Sequence, residues 1–409
     1  MLKNIIMIND ECGLYGGGAK VSAFEVNELA KKYNVVFFCG WKGDISSFNP
    51  KIEIISVYDS SFLDAKNKIR SIFAGLYSFK AKKAMKQLLK RFSKEDTVIH
   101  ITGFITGLSS SIFSPIYKSG IKTFYTIHAY HLACPNGGFF NYPKNKICTL
   151  KPCSLKCQLS NCDSRNYYFK IYRNIRQIIQ NHNFKLGKNN IHYIFLSNLS
   201  KETIIHYLKP KVPYRFIHNP IETRNFKITN IEKNNTFLFV GRVQKEKGIE
   251  LLCEYINKKN LKLLIIGNGP LEETLKEKYR TNNNITFAGW QNYDFITQKM
   301  AASRALIFPS LWYECEPLTV LEAKSMGLPV MVSNLCASVE NVTEKSGVIY
   351  NPYDYDDFSK KIDILNNDEK IIEMSKNSYL EFNEYVNKNH HIDELIDFYK
   401  NTNNTVYLQ

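Results

Sequence analysis

FPSLWYECEPLTVLEAKSMGLPV, residues 308–330, decides the fold of this chain. The approach to it, Ala305 to Phe308, reads as a buried strand that stops at Pro309, because proline cannot continue a sheet ladder. Leu318 to Met326 reads as a helix, closed by Gly327 and by a proline two residues on. Strand, short loop and helix in that order is the repeating half of a parallel sheet. The same succession recurs on both sides of it. Apolar runs at 4–8, 35–38, 52–57, 98–102, 123–128 and 192–196 read as strands, and so do those at 237–241, 261–267, 285–288, 330–333 and 348–350. Longer helical patterns, such as 22–32 and 250–258, separate them. The alternation predicts the α/β class, and two series of it predict two doubly wound, Rossmann-like domains.

Length agrees, since 409 residues exceed what one hydrophobic core usually supports. The expected division is an N-terminal domain over 1–222 with a Cys-rich insert at about 134–165. A polar linker over 223–235 (TRNFKITNIEKNN) follows, then a second domain over 236–378. Residues 379–409 are expected to form a final helix and tail able to pack on either domain. At 44% hydrophobic and 22% charged the composition is globular. No run approaches the ~18 apolar residues of a membrane span. The beginning, MLKNIIMINDECG, enters a strand without signal-peptide anatomy, so the expectation is a cytoplasmic protein.

The net charge of +16 is uneven. Residues 1–200 hold 28 Lys and Arg against 11 Asp and Glu, and residues 201–409 hold 26 against 27. A basic first half suits an anionic partner: a membrane surface, a phosphorylated lipid or a nucleic acid. The densest stretch, FAGLYSFKAKKAMKQLLKRF at 73–92, sets Phe73, Leu76, Tyr77, Met85, Leu88, Leu89 and Phe92 at helical spacing among lysines. It reads either as a helix lying on anionic lipid or as an ordinary surface helix with a basic outer face. No nucleic-acid motif accompanies it.

The chemistry gathers where strands give way to helices. Glu314 lies in the loop before the Leu318 helix, and Glu322 lies within the early turns of that helix. Free N–H groups at a helix start favour an anion, and two carboxylates beside it can accept hydrogen bonds from sugar hydroxyls. FVGRVQKEKG, from Phe239, brings Arg242 and Lys247 to another such junction, where two cations suit a diphosphate. IIGNGPLEETL, 265–275, is a third junction. NITFAGW, 284–290, sets Phe287 and Trp290 at a glycine turn, as core packing or as an edge for a nucleobase. GLYGGGAK, 13–20, follows the first strand and lets a ligand approach the backbone, without being a G-x-G-x-x-G fingerprint. His128 ends the 123–128 strand and can bond a sugar or move a proton, with His131 as the neighbouring alternative.

Taken together these segments resemble the family 4 retaining glycosyltransferases of the GT-B fold (glycosyl transferases group 1). The E-x7-E element stands as ECEPLTVLE, followed by AKSMGLPV, and the phosphate segment stands as GRVQKEKG. The GGA loop is Gly17-Gly18-Ala19, and the inter-domain HNP element is His218-Asn219-Pro220. The resemblance implies that Glu314 accepts hydrogen bonds from donor-sugar hydroxyls and that Glu322 holds the ribose. It further implies that Arg242 and Lys247 neutralise the departing diphosphate. Backbone N–H groups at Cys315 and Glu316 would meet the phosphates, Gly17 and Gly18 would face the donor, and His128 would sit by the transferred sugar. Retention by front-face attack implies neither a protein nucleophile nor a catalytic metal. The chain departs from the family in Cys315-Glu316-Pro317, which adds an acid beside the phosphates, and in Ala129 after the histidine.

Five of ten cysteines fall within 134–162. Cys148, Cys153, Cys157 and Cys162 are spaced x4, x3, x4, close to structural zinc spacing but without a C-x2-C pair. They read as a zinc clip on an acceptor-side loop or as unligated thiols. The expected function is transfer of a sugar from a nucleotide-diphosphate donor to a glycan acceptor. That acceptor is expected on a polyprenyl diphosphate, as in surface polysaccharide synthesis, with the enzyme peripheral at the inner face of the plasma membrane. No nucleic acid and no required cofactor are expected. The alternatives are a nucleotide-sugar epimerase or phosphorylase of the same fold, and a basic nucleic-acid-binding protein with a zinc module.

Overall fold

The computed structural model describes residues 1–409 except 14–15, 63, 65, 185–190, 209–211, 222–227, 229, 389, 403–405 and 408–409. Part of the glycine segment at 13–20 and most of the start of the expected 223–235 linker therefore lie outside the described residues. The chain forms two compact units: one of residues 1–138, 149–220 and 390–409, the other of 139–148 and 221–389.

The first unit is built on one sheet. From one edge to the other its strands are Val406–Tyr407, Pro213–Phe216, Ile191–Phe195, Lys122–Thr126, Thr97–Ile101, Asn4–Cys12, Asn34–Lys42 and Glu53–Ser56. All pair in parallel except Val406–Tyr407. Ile5, Ile6, Met7 and Ile8 are all buried, because a parallel strand is covered on both faces and reads as a continuous apolar run. Chain order reverses where the first strand meets Thr97–Ile101, the switch point at which such sheets bind ligands.

The second unit has six parallel strands, in the order Ile285–Phe287, Lys262–Ile266, Thr236–Val240, Ala305–Phe308, Val330–Ser333, Gly347–Tyr350. Counted along the unit, this is 3-2-1-4-5-6, the doubly wound order. Its switch point lies between Thr236–Val240 and Ala305–Phe308, the two strands that carry GRVQKEKG and PSLWYECEP.

Three expectations change. The final helix is two helices, Asp368–Lys388 and His391–Lys400, and they belong to different units. Ile371 and Met374 join the core of the second unit, and Leu395, Phe398 and Tyr399 join the core of the first. Residues 139–148, expected in the first domain, form the small hairpin Phe140–Asn141/Lys146–Ile147 and group with the second unit. The 73–92 helix is broken. Tyr77 is extended at φ −156°, and Ser78 caps a new helix, Phe79–Leu89, by accepting from Ala81 N–H at 2.9 Å. A serine that can bond the backbone three residues on favours a helix start over a helix interior. Ala81, Met85, Leu88 and Leu89 then face the core, so this segment is an ordinary surface helix with a basic outer face.

Candidate active site

The switch point of the second unit is stitched from three loops. Val243 N–H bonds Asn268 O at 2.9 Å and Leu271 N–H bonds Val243 O at 3.1 Å, joining the Arg242 turn to the glycine turn at 267–269. Leu311 N–H bonds Glu246 O at 2.8 Å, joining the lysine turn to the loop before Glu314. The glycines are there for clearance. A Cβ on Gly248, at φ +72°, would stand 2.0 Å from Pro309 O, and one on Gly267, at φ +133°, would stand 1.9 Å from Gly241 O.

Into this frame Lys247 donates from Nζ to Glu314 Oε1, and Ser310 Oγ donates to the same oxygen at 3.1 Å. Both charged side chains are mostly enclosed, Lys247 at 17% exposure and Glu314 at 12%. The ammonium also stands 5.7 Å from the Phe308 ring and 5.6 Å from the Trp312 ring, whose faces favour a cation. Ala337 N–H bonds Glu314 O at 3.2 Å and fixes the loop from the other side. Arg242 is exposed at the end of its strand, and Glu322 is half-buried one turn into the Leu318–Ser325 helix.

Two other candidates, expected to act through backbone N–H groups, have enclosed side chains. Glu316 is buried, and its Oε1 accepts from Tyr385 OH at 3.1 Å, so its carboxylate is tied to the Asp368–Lys388 helix. Cys315 is buried beside it. Phe287 packs against the core, whereas Trp290 is exposed on the turn that follows.

In the first unit Gly17 and Gly18 open the helix Gly17–Leu29, and His128 lies two residues beyond the Lys122–Thr126 strand. A Cβ on Gly18 would meet His128 Cγ at 3.9 Å, so the glycine loop and the histidine are neighbours. His128 Nε2 is buried and makes no hydrogen bond among the described residues. Burial, outweighing the attraction of the Glu25 carboxylate, pulls this imidazole down to about 4. It is therefore neutral near pH 7, suited to hydrogen bonding rather than to carrying charge. His131, the alternative, is pulled down to about 3 by burial and by Arg176 and Arg173.

Sequence reasoning missed several supporting residues. Glu25, buried in the first helix, accepts from His391 Nε2 at 3.0 Å, while His391 Nδ1 donates to His218 O at 2.6 Å. Two acceptors require both ring nitrogens to carry protons, so His391 is an imidazolium. Asp10, at the first unit's switch point, receives the N–H groups of Ile105 at 2.8 Å and Gly107 at 2.7 Å. Glu246 accepts from Tyr142 OH at 3.0 Å, and its carboxyl is raised by burial. Lys324 is buried, bonding Asn341 O and, at 2.7 Å, Glu381 Oε2. The acid-containing GRVQKEKG run and the AKSMG run show that Glu246 and Lys324 exist, but only packing shows that they face inward.

Cys148 belongs to the second unit and Cys153, Cys157 and Cys162 to the first. Among the described residues no group of three or more His, Cys, Asp or Glu is arranged to hold a metal. The physical reason is Lys170, fully buried, whose Nζ stands 3.6 Å from Cys157 Sγ and also bonds Cys162. An ammonium among the thiols repels a metal cation.

Residues 221–385 match the model described as glycosyl transferases group 1. Over these residues the second unit is similar to the glycosyl transferases group 1 domain. They contain the whole Arg242–Lys247 and Ser310–Glu322 frame. The chain is 33% identical over 41% of its length to a UDP-Gal:alpha-D-GlcNAc-diphosphoundecaprenol alpha-1,3-galactosyltransferase of Escherichia coli, covering 46% of that protein. It is 28% identical, with the same coverage, to an O-antigen chain mannosyltransferase C of Escherichia coli. The matching stretch thus spans about half the length of these curated relatives. A sucrose-phosphate synthase from Thermosynechococcus elongatus superposes with a TM-score of 0.70 at 16% identity, over 97% of this chain and 98% of that one. The chain has the GT-B fold.

Proposed function

We propose that this chain is a retaining glycosyltransferase that moves a sugar from a nucleoside diphosphate to a glycan acceptor in surface polysaccharide synthesis. The Lys247–Glu314–Ser310 constellation at the switch point carries the reading. Lys247 and Ser310 occupy Glu314 Oε1, which leaves Oε2 to accept from a donor-sugar hydroxyl. Lys247, with Arg242 exposed nearby in sequence, supplies positive charge for the diphosphate as it leaves, where charge develops in the transition state. Glu322 receives the ribose hydroxyls. In this reading the countercharge comes from the protein, so transfer does not depend on a divalent cation. Neutral His128 offers Nε2 to the transferred sugar. The named relatives act on a diphosphoundecaprenol-linked sugar and on an O-antigen chain, which supports a lipid-linked acceptor here. A basic first half supports work at the inner face of the plasma membrane.

The test is a thermal-shift screen with UDP-, GDP- and ADP-sugars, followed by NMR of the anomeric proton in the product. A shift with one donor class is expected, because a ligand that binds only the folded state raises its melting temperature. Glu314→Ala should then abolish transfer. Full activity in that variant, or inversion at the anomeric carbon, would refute the mechanism.

A further inference from the structure

The first unit holds a second feature that the donor chemistry does not use. Where the chain leaves the Glu53–Ser56 strand, at the carboxyl edge of the sheet, it closes a pocket of about 510 Å³ with the Lys68–Leu76 helix. Tyr58, Phe62, Lys66, Arg70 and Lys80 line it. Lys80 Nζ lies 5.0 Å from the Tyr58 ring centre, and Tyr58 OH bonds Ser78 Oγ at 2.5 Å, so that wall is fixed. Asp59 and Asp64 also reach the pocket, and Asp64 is engaged by Ser61 Oγ at 2.5 Å. Among the described residues no ion pair takes up Lys66, Arg70 or Lys80, so the three cations face the two acids with charge to spare for an anion.

Beside the pocket the surface turns apolar. The helix that carries Arg70 exposes Ile69, Ile72 and Phe73, the last at 66%, and Phe79 follows at 77%. A second helix, Tyr167–Phe184, packs against it, with Tyr172 OH donating to Ile72 O at 3.2 Å. It exposes Tyr168, Ile171, Ile175 and Ile178, at helical spacing along one face. Gly75 permits the approach, since a Cβ there would stand 2.2 Å from Tyr172 OH. Folded chains rarely leave that many large apolar side chains together in water. Lys66, Lys68, Arg70 and Lys80 are interleaved in sequence with Ile69, Ile72, Phe73 and Phe79, which favours an anionic lipid surface over a neutral apolar partner.

We propose that the pocket and strip form the acceptor site. The pocket takes the diphosphate of a long-chain lipid carrier, and the strip meets the hydrocarbon at the bilayer. This rests on the transferase reading above and names the part of the chain that selects its acceptor. The bilayer contact thus centres on the Lys68–Leu76 and Tyr167–Phe184 helices with Phe79, since Ala81, Met85, Leu88 and Leu89 of the Phe79–Leu89 helix are in the core.

The experiment is flotation of the full chain with three vesicles: phosphatidylcholine alone, phosphatidylcholine with phosphatidylglycerol, and phosphatidylcholine with undecaprenyl diphosphate at matched charge. Wild type should float most readily with the last. Lys66→Glu/Arg70→Glu should lose about tenfold or more of that preference, the loss expected for two charge-assisted hydrogen bonds. Ile72→Ser/Phe73→Ser should weaken binding to every vesicle. Inorganic diphosphate should compete with wild type but not with the pocket variant. Equal binding to both anionic vesicles by wild type and pocket variant would reduce the pocket to general surface charge and overturn the proposal. So would flotation unaffected by the strip variant. The donor thermal shift is measured on the same variants. If it persists while the vesicle arms fail, the acceptor site is wrong and the transferase reading stands; if it is absent in wild type, the transferase reading fails.

Discussion

At the scale of single residues, Glu314 concentrates the risk. Its Oε1 is held by Lys247 and Ser310 in a mostly enclosed loop, so a small chemical change there is felt. Glu314→Gln keeps the shape and removes the charge. It should lower kcat by about a hundredfold or more, the scale set by losing one preorganised electrostatic contact, while circular dichroism stays native. Lys247→Met should weaken donor binding and deprive Glu314 of its ammonium partner, which a donor titration by calorimetry would register. His128 gives a prediction in pH. Its pKa is pulled to about 4 by burial, below the ordinary histidine value. The unfolded chain therefore takes up a proton before the folded one does. Stability held at neutral pH is lost as pH falls from the ordinary value toward 4. Histidine NMR should show this ring neutral at pH 6, and a ring protonated at pH 6 would contradict the assignment.

At the scale of elements, the first helix and the helix His391–Lys400 are tied by Glu25 and His391. Burial opposes charging His391, but the hydrogen bond and charge of Glu25, with the His218 carbonyl and Glu394, together outweigh it and raise the imidazole. Burial likewise opposes charging Glu25, but the facing histidines outweigh it and lower the carboxyl. The histidine's contribution is complete below its ordinary value and fades as pH rises through its raised one. The carboxylate's contribution is complete above its ordinary value and fades as pH falls through its lowered one. The melting-temperature gap between wild type and His391→Gln should therefore be widest in mildly acidic solution and shrink in alkali. Lys324 plays a comparable part in the second unit, binding its helix to Glu381. Lys324→Met should cost about 3 kcal/mol in a denaturant titration, at the lower end for breaking a buried pair, because Glu381 retains some access to water.

At the scale of the whole molecule, the chain passes from one unit to the other and back twice, and residues 390–409 end in the first. Phe398 is fully buried there against Phe124 at 5.0 Å between ring centres. Phe398→Ala should cost about 4 kcal/mol, and denaturation should show the first unit melting earlier. Much of this was legible in advance. Continuous apolar runs specify parallel strands because both faces of such a strand are covered, and glycine and proline punctuation locates the turns, so class, two-unit plan and the loops at strand–helix junctions follow from local pattern. The placement of Arg242, Lys247, Glu314 and Glu322 at or just after strand–helix junctions was readable because such junctions are local. Other features depend on contacts between residues far apart in sequence, which no local pattern encodes. The break at Ser78, the return of the last helix, the inward turn of Glu316 to Tyr385 and the Lys170 ammonium among the cysteines are of this kind. The sequence alone determined which loops carry charge, since that depends on neighbours along the chain. Tertiary structure decided which of those charges are enclosed and paired, and which apolar side chains stay in water, because burial is set by whatever the fold brings alongside.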